Sequence, residues 1–139
     1  MALSARIQFG DNGIGQYSSD YQLSECKTHF TRHHSAFFPD EDAKCMQIEL
    51  TIVASNKYDL NIQEWFIDRS CLSGRIVFEL SSIQGGEQGS GPLRTIEFED
   101  AECFSLGEKY DIGVKTRREF KLLITARLFK IGDTVFERR

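Results

Sequence analysis

The chain has 139 residues, of which 40% are hydrophobic and 27% charged, the balance of a globular domain and far from that of a disordered one. Its net charge of −4 argues against a general nucleic-acid binder, which needs a basic footprint to displace counterions. No apolar run is long enough to span a membrane, and the opening MALSARIQF lacks the basic-then-apolar pattern of a secretory signal, so folding in the cytoplasm is expected.

One domain over residues 1–139 is expected, large enough to bury roughly two-thirds of its extended surface. Eleven Phe against one Trp and two Met point to a rigid aromatic and β-branched core, and the only prolines, Pro39 and Pro92, leave long strands uninterrupted. Residues 3–9 predict a first strand with Leu3, Ala5, Ile7 and Phe9 on one face, and Asn12-Gly13 signals a turn. In residues 21–32 the apolar parity shifts between Leu23 and Cys26, which predicts a β-bulge near Glu25. Residues 33–44, HHSAFFPDEDAK, read as a loop. A strand follows over residues 45–55, with Met46, Ile48, Leu50, Ile52 and Ala54 in phase.

Residues 57–70 hold the one predicted helix, at about residues 59–69. Asp59 is its expected N-cap, and Ile62, Trp65, Phe66 and Arg69 fall at helical spacing over about three turns. A strand is predicted over residues 72–80, a glycine-rich hairpin loop over Gln84 to Pro92, and a strand over residues 94–103. The C-terminal run places Phe120, Leu122, Ile124, Ala126 and Leu128 on one parity, then a Gly132-Asp133 turn and a short returning strand with Val135 and Phe136. The fold class is mainly β: a two-sheet β-barrel or sandwich of seven to nine strands with one flanking helix.

Chemistry-bearing patterns are sparse. His29, His33 and His34 have no acid or Cys at ligand spacing, so solvated histidines are expected and no metal. Asp40-Glu41-Asp42 lacks the alternating ligands and central Gly of a calcium loop. The glycines of residues 85–91 lack the Lys-Ser/Thr of a phosphate loop. The four cysteines show no C-x-x-C unit, and buried free thiols are expected. Without a nucleophile elbow there is no case for an enzyme, and no cofactor is implied. Phe37-Phe38-Pro39 is costly if simply exposed; it either plugs the barrel end or docks on a partner.

Residues 72–78 (LSGRIVF), 96–103 (IEFEDAEC), 109–111 (KYD) and 120–133 (FKLLITARLFKIGD), with YQLSEC and IELTI in the N-terminal half, resemble the tube protein of type VI secretion systems, the Hcp or TssD family, in its Bacteroidetes version. The resemblance implies a homohexameric ring that stacks into a hollow tube, is driven out by a contracting sheath without a signal peptide, and carries effector proteins in its lumen. Sheath, spike and baseplate proteins would be its other partners, with no nucleic acid and no membrane insertion. The ring-stacking contact would fall on the loop of residues 35–44, with Phe37, Phe38, Pro39, Asp40, Glu41 and Asp42 meeting a basic surface at Arg117 and Arg118. Strand parity sets Lys27, His29 and Thr31 opposite Cys26, Thr28 and Phe30, and the first set is assigned to the lumen. The Gln84–Pro92 loop is longer than the family pattern suggests and points to a specialised paralogue. The alternatives are a phage-like tail-tube component and a monomeric barrel with a ligand inside.

Overall fold

Each alternating stretch becomes a strand, and the strands are antiparallel throughout. The computed structural model describes residues 2–33, 43–54, 60–81, 91–111 and 117–137. In chain order these form β1 (Ala2–Asp11), β2 (Gln16–His33), β3 (Ala43–Ala54), α1 (Asn61–Ile67), β4 (Leu72–Ser81), β5 (Gly91–Asp111), β6 (Arg117–Ile131) and β7 (Thr134–Glu137). The sheet order is β3-β2-β1-β4-β5-β6-β7, and β3 also pairs with β6, closing the first six strands into a barrel. This is the mainly β barrel with one helix that the alternation predicts.

Three strands are too long for a single sheet: β2 has 18 residues, β5 has 21 and β6 has 15. Each turns from one sheet into another at a local irregularity, as strands do at the corners of packed sheets. β2 pairs with β1 as far as Leu23 and with β3 from Gln22 onward, with Ser24 as the extra residue, one position from the bulge predicted at Glu25. β5 turns at Asp100, a non-glycine residue with φ of 53°, and again at Phe104, the unpaired residue between Cys103 and Ser105. β6 turns where it pairs with this region. Ala126 and Phe129 are both buried although three apart, so the stripe predicted to run through Leu128 changes parity and Phe129 takes the core position. Arg127, between them, donates from Nε to Asp100 Oδ2 at 2.8 Å across the corner.

The core lies between the two sheets. Ile7, Ile48, Ile52, Ile76, Phe98 and Ile124 are wholly buried. Phe9 is the hub of an edge-to-face cluster, with ring centroids 6.0 Å from Tyr21, 5.3 Å from Trp65 and 6.0 Å from Phe98. Leu3, expected on the core face, is 61% exposed, because β1 outruns the core near its N-terminal end.

The helix is shorter than predicted. It has seven residues, with Leu60 and not Asp59 at the N-cap position, and Asp59 itself lies outside the described residues. It ends as the chain enters the left-handed region at Arg69, φ 53°. Two turns cannot stand alone in water. Ile62 and Trp65 hold the helix to the barrel, while Phe66, expected on the apolar stripe, faces outward. Trp65 Nε1 donates to the carbonyl of Ala101 at 3.0 Å, where β5 parts from β4.

Two turns complete the frame. Residues 12–15 separate Asp11 from Gln16, with the positive φ at Gly15, so Asn12-Gly13 starts a four-residue turn. Asn12 Nδ2 lies 2.9 Å from Gly74 O, 3.2 Å from Phe98 O and 3.0 Å from Glu99 Oε1, and Tyr17 Oη donates to Asn12 Oδ1 at 2.7 Å. This one side chain ties the β1–β2 turn to β4 and β5. Gly132-Asp133 forms the predicted two-residue turn, with Gly132 at φ 60°.

Candidate assembly surface

Cys26, Leu50, Leu122 and Leu106 stand side by side in one core-facing row, which places β2, β3, β6 and β5 next to one another in that order. The row Glu25, Thr51, Lys121 and Gly107 runs along the outward face of the same sheet, and Lys27, Glu49, Leu123 and Ser105 form a second one. Lys27 Nζ lies 3.2 Å from Glu25 Oε1, and His29 Nε2 lies 3.5 Å from Glu49 Oε2. The outward face thus carries one ion pair, Lys27 with Glu25, and a contact of the His29 ring with Glu49.

Both outer edges of this four-stranded sheet are open. Among the described residues, β2 beyond Leu23 pairs only with β3, and β5 beyond Ala101 pairs only with β6. Such edges present backbone N–H and C=O groups ready to pair with another chain. Large apolar side chains mark both. Phe30 on the β2 edge is 55% exposed, and on the β5 edge Phe104 is 44% and Tyr110 57% exposed. Among the described residues, the ring of Phe30 packs on that of Phe136, with centroids 5.2 Å apart. Beside the β5 edge, α1 and its N-cap position contribute the exposed Ile67 and Leu60.

A polar chain stiffens the β5 edge. Gln63 Nε2 donates to Glu108 Oε1 at 2.7 Å, and Tyr110 Oη donates to Glu108 Oε2 at 2.8 Å. The bond to Glu108 favours the protonated phenol and pushes the Tyr110 pKa up. Elsewhere on the sheet, burial raises the thiol of Cys26 to about 11. Cys103 is raised to about 11 by the same cause. Cys71 is exposed, contrary to the expectation of buried thiols, because it precedes β4 on the outside of the barrel.

The predicted site residues fall as follows. Lys27 and His29 are exposed on the outward face, while Cys26, Thr28 and Phe30 share the parity of the core residues Leu50, Ile48 and Met46. Thr31 lies on β2 opposite Cys45. Phe37, Phe38, Pro39, Asp40, Glu41 and Asp42 lie outside the described residues, as does most of the Gln84–Pro92 loop. Arg117 is the first residue of β6, opposite Asp111. Arg118 is half-buried, its guanidinium 5.1 Å from the centroid of the Phe120 ring. What sequence reasoning missed is the β5 edge. Its signal is the core-parity set Leu106, Glu108 and Tyr110, too polar for a strand buried on both sides.

The geometry defines a class first: a closed β-barrel whose working surface is a polar sheet with two open edges. A family model described as "Hemolysin coregulated protein Hcp (TssD)" matches residues 1–139, and the chain belongs to this family of tube proteins. Solved structures share the fold at low identity. Hcp1 from Flavobacterium johnsoniae is 13% identical at a TM-score of 0.65, with 99% of this chain and 100% of that one covered. A further Hcp protein is 13% identical at 0.68, with 99% of each chain covered. Hcp1 from Salmonella typhimurium is 6% identical at 0.67, covering 98% of this chain and 92% of that one. No curated protein sequence matches.

Proposed function

We propose that this chain is a structural subunit of a type VI secretion inner tube, six copies forming a ring and the rings stacking into a hollow tube. The observation that carries the reading is the four-stranded sheet with two unlike open edges. Because the strands alternate in direction from β2 to β5, the β5 edge of one protomer and the β2 edge of the next meet antiparallel, the direction in which tight pairing is easiest. Each contact is heterologous, so repetition yields a closed ring or an open ribbon and no two-fold dimer. In this arrangement the outward face of the sheet lines the lumen, with Lys27, His29 and Thr31 on it. The loop of residues 35–44 makes the axial contact, with Phe37, Phe38 and the acids of residues 40–42 set against Arg117 and Arg118.

Assembly takes place in the cytoplasm, and export follows sheath contraction. Sheath, spike and baseplate proteins are the tube's partners, and effector proteins travel in the lumen. The subunit is structural and does no chemistry. A ligand-binding barrel is disfavoured because Ile7, Phe9, Leu50, Phe98 and Phe129 fill the interior.

The test is the mass of the purified protein by light scattering, with negative-stain images of the same sample. Six-protomer rings are expected; a monomer across a wide concentration range refutes the reading. In a second experiment, Phe37→Asp with Phe38→Asp leaves rings intact and stops tube growth; unchanged tubes would refute the axial contact.

A further inference from the structure

Nothing among the described residues accounts for a glycine at position 107. Its φ lies outside the left-handed region, and a Cβ added there meets no heavy atom within 4 Å. Gly10 and Gly74 differ, since a Cβ on either would collide with the backbone of Gln16 or Gln8. Yet Gly107 sits inside a strand, where glycine adds flexibility to the unfolded chain and gives no side chain to pack. A strand glycine often marks the place where another backbone or side chain comes close. No group of the described chain does so.

Gly107 lies midway along the open β5 edge, on the outward face beside Lys121. Its neighbours on that parity are Ser105 and Lys109, so the edge narrows to backbone at this one point. The outward residues of the β2 edge, Glu25, Lys27 and His29, all carry long side chains. Directly opposed side chains across an antiparallel pair stand about 4.5–5.5 Å apart at Cβ, so a glycine in one row leaves room for a long side chain of the other to lie across it.

The geometry points to Gly107 as the seat of the protomer–protomer seam, where a long outward side chain from the β2 edge of a second copy lies across the β5 edge. This inference rests on the ring reading above. It makes Gly107 a residue required by assembly and not by the fold of the single chain.

The experiment compares wild type, Gly107→Ala, Gly107→Val and Lys130→Val by light scattering over a protomer concentration series, with a far-ultraviolet circular dichroism spectrum of each. Lys130 is exposed on the outward face of the other sheet and serves as the control. Wild type and Lys130→Val should form rings, and Gly107→Val should remain a monomer with an unchanged strand spectrum. Gly107→Ala should need at least a tenfold higher concentration for half-assembly. If Gly107→Val forms rings at the wild-type concentration, the seat is refuted while the ring stands. If wild type is itself a monomer, the ring reading fails and the seat with it. If Gly107→Val loses its strand spectrum, the chain needs that glycine for its own fold, and the inference is overturned.

Discussion

Trp65→Phe tests how a two-turn helix is held where β5 leaves the barrel. Trp65 is 1% exposed, its ring centroid is 5.3 Å from that of Phe9, and its indole N–H occupies the Ala101 carbonyl at 3.0 Å. Phenylalanine keeps an aromatic ring but removes the donor, leaving a buried carbonyl unpaired at a cost of about 1–3 kcal/mol. The smaller ring forfeits contact worth roughly another 1 kcal/mol. Trp65→Phe should therefore cost about 2–4 kcal/mol, and Trp65→Ala about 3–5 kcal/mol or more, since seven helical residues cannot stay ordered without their anchor. Urea unfolding followed by circular dichroism at fixed protomer concentration measures both. Glu64→Ala, on the exposed side of the same helix, should move stability by no more than about 0.5 kcal/mol. A loss of under about 0.5 kcal/mol for Trp65→Phe would refute the claim that the Ala101 bond anchors the helix.

Two further expectations follow from polar and thiol groups. Asn12→Ala strands the Gly74 and Phe98 carbonyls and should cost about 2–3 kcal/mol. Asn12→Asp instead sets a carboxylate against those carbonyls and Glu99, which holds its folded-state pKa above the unfolded value of about 3.9. Its penalty thus grows as pH rises past about 4, so Asn12→Asp should be the less stable variant at pH 7 and gain on Asn12→Ala as pH falls. Parallel pH profiles for the two would contradict this. Among the thiols, a Cys103 pKa of about 11 leaves about one molecule in a thousand as thiolate at pH 8. Iodoacetamide followed by peptide mass mapping should therefore label the exposed Cys71 well before Cys103 or Cys26; equal labelling would show that burial does not protect them.

The parts of the fold visible in the sequence are those set by local parity. Met46, Ile48, Leu50 and Ile52 alternate because β3 buries one face along most of its length. The Ser24 bulge shows as a parity slip, since an extra residue moves every later side chain to the other face. Gly132-Asp133 shows because only a few residue pairs make a two-residue turn. Closure of the barrel does not show, because Ile48 meets Ile124 across 76 positions and nothing local encodes that pairing. The helix end is hidden for a related reason: the pattern continues to Arg69, whereas the backbone enters the left-handed region there. In the candidate site, parity groups Lys27 with His29 but does not label their face, and which strand edges lack a partner depends on where β1 and β4 end.

Those open edges are a hazard in a monomer, and soluble proteins usually blunt them with prolines, inward charges or very short strands. Here the stretches with one strand neighbour among the described residues run over residues 24–33 and 102–111, contain no proline, and display Phe30, Phe104 and Tyr110. The bulges at Ser24 and Phe104 lie where the two stretches begin, so the devices that turn each strand around the barrel corner also carry it past its last neighbour. One barrel thereby gains two unlike edges at opposite sides of one sheet, joined by strands of alternating direction. In the proposed ring, a second copy would cover each of these two edges with its complement. In that ring, sheet twist would set how sharply successive protomers turn, and so whether the row of subunits closes. The long strands, which would be a liability in an isolated barrel, are what the proposed ring would use.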